Sequence, residues 1–256
     1  MENLKLGQFG FISSHRPFDT NKPTLVFIHG AAMTGIFWKS QVNALTEFAN
    51  TVAIDLPGHG TSQGFGKDNI PAYAKAVMEF IDHIKAPLPI PCGLSLGGAI
   101  ALQLLIENNN RFPAGILINT GARLKVSHDI FQTIEEDYSN FVDMICKFAI
   151  SEKSDAGKLR PEIEACTKCS PEVALGDFKA CDTFDVMNRL SLIDVPVLVL
   201  TASDDNLTPV KYGNFLGEKI TKARIVNIEE AGHLSPMEKP DEVNKFISEF
   251  LQLMKV

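Results

Sequence analysis

The amino-acid sequence predicts an α/β protein with a doubly wound, mostly parallel sheet. Short apolar runs alternate along the chain with longer amphipathic segments, which is the order of strands and helices in such folds. Several apolar runs are continuous instead of alternating with polar residues, as expected for strands that helices cover on both faces of a sheet. A third observation is an interval, residues 123–190, with helical patterns but no run typical of a strand. It predicts a helical cap inserted into one α/β core.

Each predicted element has its own local basis. Buried strands are predicted from the apolar runs at residues 24–28, 51–54, 88–92, 114–118, 195–200 and 223–228. Helices are predicted where apolar residues recur at helical spacing, at residues 37–45, 72–84, 98–106, 210–219 and 241–254. Pro89 and Pro91 are unusual in a central strand because proline cannot donate to the ladder, so the strand at 88–92 depends on the turn that follows it. Residues 4–12 predict a short antiparallel hairpin at one edge of the sheet.

The predicted cap follows the sixth strand and divides the core domain into residues 1–122 and 191–256. Two prolines, Pro161 and Pro171, and a polar stretch at 151–157 break the cap into several short helices. Within residues 130–150 apolar side chains recur at helical spacing: Phe131, Tyr138, Phe141, Met144, Ile145 and Phe148. The pattern is compatible both with packing against the core and with a substrate pocket beneath the cap.

The composition is that of an ordinary globular protein and excludes several classes of partner. The chain has 256 residues, of which 45% are hydrophobic, and a formal net charge of -7. Nucleic acids and anionic membrane surfaces attract basic patches, so neither is expected as a partner. The first ten residues lack the basic start and apolar centre of a signal peptide, and no run approaches a membrane span. A cytoplasmic location is therefore expected. The sequence does not distinguish a monomer from a homodimer.

The cysteines predict neither a disulfide framework nor a metal centre. Their number, five, is odd, and the chain has no recognisable export signal. Cys166 and Cys169 have the spacing of half a zinc site, but Cys146 and Cys181 do not form the second close pair that a structural zinc usually has. Cys92 is expected to be an inert thiol in the core.

The most informative motif is Gly93-Leu94-Ser95-Leu96-Gly97, which stands between a predicted strand and a predicted helix. A serine in so tight a turn needs glycine on either side, because larger side chains would clash there. The turn then pushes the hydroxyl outward. The helix that follows directs its unpaired N–H groups and the positive end of its dipole toward the same place. Ser95 is therefore the candidate nucleophile.

A serine nucleophile needs a base and an acid that orients the base. Of the six histidines, His233 is the best candidate, because it follows the last predicted strand and so shares the carboxyl edge of the sheet with Ser95. His59 lies in a turn after an earlier strand, where a structural hydrogen bond is the expected role. Asp204 and Asp205 both follow the strand at 195–200, and either carboxylate could reach the histidine. The order nucleophile, acid, histidine is that of the α/β-hydrolase arrangement.

The chain resembles the α/β-hydrolase superfamily, in the branch of small capped esterases and lactonases. The matching motifs recur in order over nearly the whole sequence: 27–30, 55–62, 93–98, 205–209 and 232–233. The resemblance implies that Asp205, four residues before Pro209, is the acid and that Asp204 is a neighbour. One departure is Ala202, where the family often has glycine.

The same resemblance implies the remaining parts of the site. The N–H of Leu96, directly after the nucleophile, and the N–H of Ala31, after the His-Gly pair at 29–30, are the expected oxyanion-hole donors. The resemblance also implies a substrate contact from Met33. The helical spacing in the cap adds Tyr138, Phe141 and Ile145 as expected substrate contacts.

The function expected from this set is hydrolysis of a carboxylic ester, lactone or thioester of a small to medium acyl substrate, without a cofactor. Two alternatives use the same triad. One is hydrolysis of a carbon–carbon bond, or a lyase reaction, which only the pocket beneath the cap would distinguish from ester hydrolysis. The other is a ligand receptor that turns over slowly.

Overall fold

A computed structural model describes residues 2–108 and 110–254 and has an eight-stranded sheet at its centre. The strands are β1 (Glu2–Leu6), β2 (Phe9–Ser13), β3 (Thr24–Ile28), β4 (Asn50–Ile54), β5 (Pro89–Leu94), β6 (Gly115–Ile118), β7 (Val197–Ala202) and β8 (Ala223–Ile228). Their order across the sheet is β1-β2-β4-β3-β5-β6-β7-β8. β3 to β8 run parallel, and β1 and β2 form an antiparallel hairpin at one edge. The predicted α/β fold and the edge hairpin are confirmed.

Helices cover both faces of the sheet. They are α1 (Lys39–Ala44), α2 (Ile70–Ile84), α3 (Leu96–Glu107), α4 (His128–Glu136), α5 (Phe141–Phe148), α6 (Ala156–Cys166), α7 (Pro171–Thr183), α8 (Val210–Lys219), α9 (Ser235–Glu238) and α10 (Pro240–Leu253). α3 is buried on all sides from Leu96 to Ile106, which explains why its sequence is almost entirely apolar and not amphipathic. This burial fixes the helix that follows Ser95.

The prolines of β5 lie where the sheet tolerates them. β5 pairs with β3 from Pro89 onward, but its pairing with β6 starts only at Cys92. The two missing N–H groups therefore fall in the part of the strand that has one neighbour. The half that enters the Ser95 turn is hydrogen-bonded on both sides, which gives the turn a rigid base.

Four helices, α4 to α7, lie between β6 and β7, and we call this segment the cap. Three of these helices begin with a side-chain hydrogen bond: Ser127, Asp155 and Ser170 each accept from a backbone N–H group of the first turn. The helical pattern at 130–150 is divided into α4 and α5 by a break at 137–140. Arg123 and Asp185 form an isolated antiparallel bridge where the chain leaves and re-enters the core. The predicted bounds of the cap, 123–190, stay a prediction.

In the part of the chain that the structure describes, none of the helices has both the length and the apolar character needed to cross a bilayer.

Candidate active site

Ser95 occupies a strained position between β5 and α3. Its backbone has φ 54° and ψ -114°, which is unfavourable for any residue with a side chain. A Cβ at Gly93 would lie 2.0 Å from the carbonyl oxygen of Gly97, and one at Gly97 would lie 2.1 Å from that of Ile28. Only glycine fits at either position. The local sequence thus dictates the turn and pushes the serine side chain toward the carboxyl edge of the sheet.

Two hydrogen bonds hold this turn in place. The N–H of Ser95 donates to the carbonyl oxygen of Ile118 at the end of β6, at 3.1 Å. The carbonyl oxygen of Ser95 accepts from the hydroxyl of Thr120, at 2.8 Å. Strain at the nucleophile is therefore balanced by bonds to the neighbouring strand and the loop after it.

His233 and Asp205 meet at the same edge from separate loops. Nδ1 of His233 lies 2.9 Å from Oδ2 of Asp205, and both side chains are buried. Because an ionised carboxylate only accepts, Nδ1 carries the proton, and Nε2 is left as the basic nitrogen. The hydroxyl of Thr208 donates to the same carboxylate oxygen at 2.7 Å. The backbone N–H groups of Leu207 and Thr208 donate to the other oxygen, so Asp205 is held on both sides.

The structure separates the two candidate acids. Burial opposes ionisation of Asp205, but the adjacent His233 and the hydrogen bonds from Thr208 lower the pKa of its carboxyl below the usual value. Asp204 instead binds the hydroxyls of Ser151 and Ser203. Asp205 is thus the carboxylate that contacts the histidine, as the family resemblance implied.

The loop that carries His233 is anchored by a residue that the sequence did not single out. Asn119 follows β6 in a left-handed conformation, with φ 43°. Its side-chain amide donates to the carbonyl oxygen of His233 at 2.8 Å and to the hydroxyl of Ser235 at 2.9 Å. An asparagine after a strand carries no pattern of its own, so this contact becomes visible only in three dimensions.

One predicted oxyanion-hole donor directly follows Ser95 in the chain, and the other belongs to a residue that lines the same cavity as Ser95. Leu96 is the first residue of α3, so its N–H is among the first-turn groups that have no partner within the helix. Ala31 lines the cavity in front of Ser95, and Ala32 after it has a left-handed backbone with φ 59°. The role of the two N–H groups as oxyanion donors stays a prediction.

A cavity of about 260 Å³ opens above Ser95 and His233 between core and cap. Its exposed lining is mostly apolar, and Met33, Phe141 and Ile145 are part of it, as predicted. Tyr138 is not among the lining residues. The break at 137–140 puts Tyr138 outside the helical repeat of α5, where its ring stacks on Phe141 and its hydroxyl donates to the carbonyl oxygen of Cys169 at 3.2 Å.

Sequence reasoning missed eight of the ten cap residues that line this cavity. They come from the loop before α4, from α4 and α7, and from the residue that follows α5: Leu124, Lys125, Val126, Ser127, Ile130, Ala149, Phe178 and Cys181. Burial raises the pKa of the Cys181 thiol, which makes it an unreactive part of the wall. Only the packing of α7 across the site reveals Phe178, because its own helix has no clear apolar stripe.

His59 has the structural role that its position predicted. Its Nε2 lies 2.9 Å from the Asp177 carboxylate of α7, and neither side chain is exposed to solvent. In the described residues no cluster of three or more His, Cys, Asp or Glu side chains is arranged to hold a metal ion.

Comparison with known proteins identifies the family. The model of the alpha/beta hydrolase family matches residues 25–246, which is most of the chain. The chain therefore belongs to the alpha/beta hydrolase family, and the resemblance seen in the sequence is confirmed.

Particular relatives narrow the class. The chain is 26% identical to 3-oxoadipate enol-lactonase 2 of Acinetobacter baylyi, over 88% of this chain and 86% of that protein. It is 24% identical to the pimeloyl-[acyl-carrier protein] methyl ester esterase of Nitrosomonas europaea, over 90% and 96%. The crystal structure of the enol-lactonase from Burkholderia xenovorans superimposes with a TM-score of 0.86, at 21% identity over 98% of this chain and 100% of that one, and shows the shared fold. The predicted class, a carboxylic-ester hydrolase, is confirmed by the family and by these relatives.

Proposed function

We propose that the protein hydrolyses carboxylic esters, lactones included, of small to medium acyl substrates through an acyl-enzyme on Ser95. The observation that carries this proposal is the shared cavity. Ser95, in its strained turn, and His233, whose Nδ1 is bonded to Asp205, face one apolar space. Nucleophile, base and orienting acid are thus the three parts that acyl transfer needs.

The first half of the reaction forms the acyl-enzyme. Nε2 of His233 takes the proton of the Ser95 hydroxyl as Oγ attacks the carbonyl carbon, and Asp205 stabilises the resulting imidazolium. The N–H groups of Leu96 and Ala31 donate to the oxyanion of the tetrahedral intermediate. The imidazolium then protonates the leaving alkoxide or enolate oxygen as the carbon–oxygen bond breaks.

The second half regenerates the enzyme. His233 takes a proton from a water molecule whose oxygen attacks the acyl carbon, and the proton passes to Oγ of Ser95 as the acid is released. For a lactone the leaving oxygen stays attached to the acyl chain, so one open-chain acid is the only product. The same residues serve both substrate types.

The cavity supports a compact, mainly apolar acyl group. Its volume of about 260 Å³ lies just below the ~300–1,000 Å³ usual for ligand sites. Half of the lining comes from the cap, so the cap determines which acyl group fits. One relative is named for a lactone substrate and the other for a methyl ester substrate, which supports both kinds of ester as substrates for this type of site.

The other expectations stay predictions. Carbon–carbon hydrolysis, a lyase reaction and a slow receptor all share this triad. The division into core and cap at 123–190, the cytoplasmic location and the monomeric or homodimeric state also await measurement.

The proposal is tested by steady-state hydrolysis of p-nitrophenyl esters from acetyl to octanoyl, with the intact protein and Ser95→Ala. We expect many turnovers for the wild type, an optimum at a short acyl chain, and loss of nearly all activity in Ser95→Ala. Ser248→Ala is the matched control, because within the described part of the chain that hydroxyl donates only to the carbonyl oxygen of Lys245 in its own helix. A single burst without turnover would favour the receptor, and activity that survives in Ser95→Ala would overturn the mechanism.

A further inference from the structure

Asp177 of α7 places a completely buried carboxylate of the cap against the core. Three core groups donate to it. The backbone N–H of Ala32 lies 2.8 Å from Oδ2, and Nε2 of His59 lies 2.9 Å from the same oxygen. The hydroxyl of Tyr73 donates to Oδ1. A buried carboxylate with this many donors is a strong fixed contact.

His59 is charged in this arrangement. Nε2 faces the Asp177 carboxylate and Nδ1 faces the carbonyl oxygen of Pro57 at 3.1 Å, so both ring nitrogens must carry protons to satisfy their acceptors. Burial alone would favour the neutral imidazole, but the charge of the Asp177 carboxylate outweighs this effect and raises the pKa of His59 to about 10. The neighbouring His29 is neutral, because its Nε2 accepts from the N–H of Leu56 and burial lowers its pKa to about 3.

The contact with Ala32 reaches the oxyanion loop directly. Ala32 follows Ala31, and its left-handed backbone is unfavourable for a residue with a Cβ. The bond from its N–H to Asp177 holds the peptide plane between the two residues. The orientation of that plane limits the backbone angles of Ala31, and with them the direction of the Ala31 N–H.

The cap packs closely against the core around Asp177. A Cβ on Gly176, one residue before Asp177, would lie 2.8 Å from the carbonyl oxygen of Lys67. Gly58 and Gly66, in the loop that carries His59, each lie against Val173 of the same helix. α7 therefore cannot shift along the loop without a clash, so the Asp177 carboxylate is held at a fixed position relative to Ala32.

We propose that Asp177 is a positioning residue for the oxyanion hole: from the cap, it holds the Ala31–Ala32 backbone so that the N–H of Ala31 faces the acyl oxygen. This inference rests on the proposed function, since it needs Ala31 to be a donor to the oxyanion. Under this proposal, catalysis as well as substrate selection requires that the cap pack against the core.

Two substitutions separate the hydrogen bond from the charge. Asp177→Ala removes the acceptor for Ala32. Asp177→Asn keeps the volume and can direct its carbonyl oxygen to Ala32 and its amide to Tyr73. We expect Asp177→Ala to lower kcat by about 10- to 100-fold, below the full loss of ~10²- to 10³-fold for removal of a donor. KM should change by less than about 3-fold, since the contact acts mainly in the transition state, and Asp177→Asn should recover most of the lost kcat.

A second readout isolates the oxyanion hole. A trifluoromethyl ketone with the preferred acyl chain forms a tetrahedral adduct on serine, and its affinity should fall by the same factor as kcat/KM in each variant. The matching methyl ether, which forms no oxyanion, should bind unchanged. If Asp177→Ala does not fold, Asp177→Leu, which has a similar branched shape but no acceptor for the N–H of Ala32, provides the same comparison of the two ligands. Glu172→Ala is the control, because it removes an exposed carboxylate from the first turn of the same helix.

The outcomes distinguish this inference from the function on which it rests. Unchanged kcat and ketone affinity in Asp177→Ala, or a rise in KM alone, would overturn the positioning role. An equal loss of ketone and ether affinity would overturn it too, because a merely distorted pocket weakens both. Activity that persists in Ser95→Ala would instead remove the serine mechanism, whatever Asp177 does.

Discussion

Nδ1 of His233 and Oδ2 of Asp205 lie 2.9 Å apart, although 28 residues separate them in the chain. They come from the loops that follow β8 and β7, which are parallel neighbours in the sheet. Because parallel strands bring their carboxyl ends to one edge, the two loops meet beside the turn that carries Ser95. The proposed chemistry depends on this meeting of three loops.

Replacement of Asp205 by asparagine is expected to remove most of the activity while leaving the fold intact. The amide would favour the wrong tautomer of His233 and would not stabilise its charged form, so kcat should fall by about 10³- to 10⁴-fold. Asp204→Asn is the matched control, since the Asp204 carboxylate hydrogen-bonds only serine hydroxyls among the described residues, and it should stay within about 3-fold of the wild type. Steady-state kinetics on the preferred p-nitrophenyl ester compares the two variants. Similar losses in both would contradict the assignment of the acid.

Gly93→Ala should destabilise the protein severely. Its Cβ would meet a backbone carbonyl oxygen at 2.0 Å, and neither β5 nor α3 is free to move away. We expect a loss of about 3 kcal/mol in the free energy of unfolding, as for overpacking of a rigid core. The comparison is Gly157→Ala in α6, where the nearest atom is a side-chain oxygen at 3.4 Å. There alanine should gain about 0.5–1 kcal/mol by its better helix propensity. Urea unfolding of both variants checks the contrast, and a mild loss at Gly93 would argue against a rigid turn.

The ion pair of His59 and Asp177 should make stability depend on alkaline pH. The pKa of His59 is raised in the folded protein to about 10, from about 6.5 in an unfolded chain. Its contribution is therefore complete below pH about 6.5 and is lost as the pH rises toward 10. The titratable groups that face it are Asp177, Tyr73, His29 and Cys169.

The measurement for this pair is a difference between variants. The free energy of unfolding of the wild type minus that of His59→Gln should shrink steadily from pH 7 to pH 10. The corresponding difference for Ser248→Ala, which changes no titratable group, should not depend on pH in this range. A difference that stays constant for His59 would mean that the ring is not charged in the folded protein.

Phe178 is expected to limit the length of the acyl chain. Its ring lies edge to face with Phe141, at 5.8 Å between centroids, and both line the cavity. Phe178→Ala should enlarge the cavity and raise kcat/KM for the longer esters over the short ones, by roughly 10-fold for two added methylene groups at about 0.8 kcal/mol each. Phe148→Ala, at an exposed position of the cap, should leave the profile unchanged. An unaltered profile in Phe178→Ala would mean that the acyl group binds elsewhere in the site.

The sequence by itself determined the α/β fold, the turn of Ser95 and the chain order of nucleophile, acid and base. These features are local or periodic. Glycines at 93 and 97 leave one possible turn, and apolar runs at regular intervals predict the strands whose carboxyl ends carry His233 and Asp205. The choice of Asp205 over Asp204 came from resemblance to a family, because two adjacent carboxylates have the same local pattern.

Only the tertiary structure decided how the cap meets the core. Asp177 and His59 lie 118 residues apart, and no periodicity links one position in a cap helix with a turn after β4. Tyr138 and Phe178 show the same dependence on packing: a break between α4 and α5 turned the first away from the cavity, and the path of α7 brought the second into it. Short helices contain too few turns for their periodicity to show which face is buried. The lining of the site therefore depends on which helix surfaces pack together and exclude water in the folded protein.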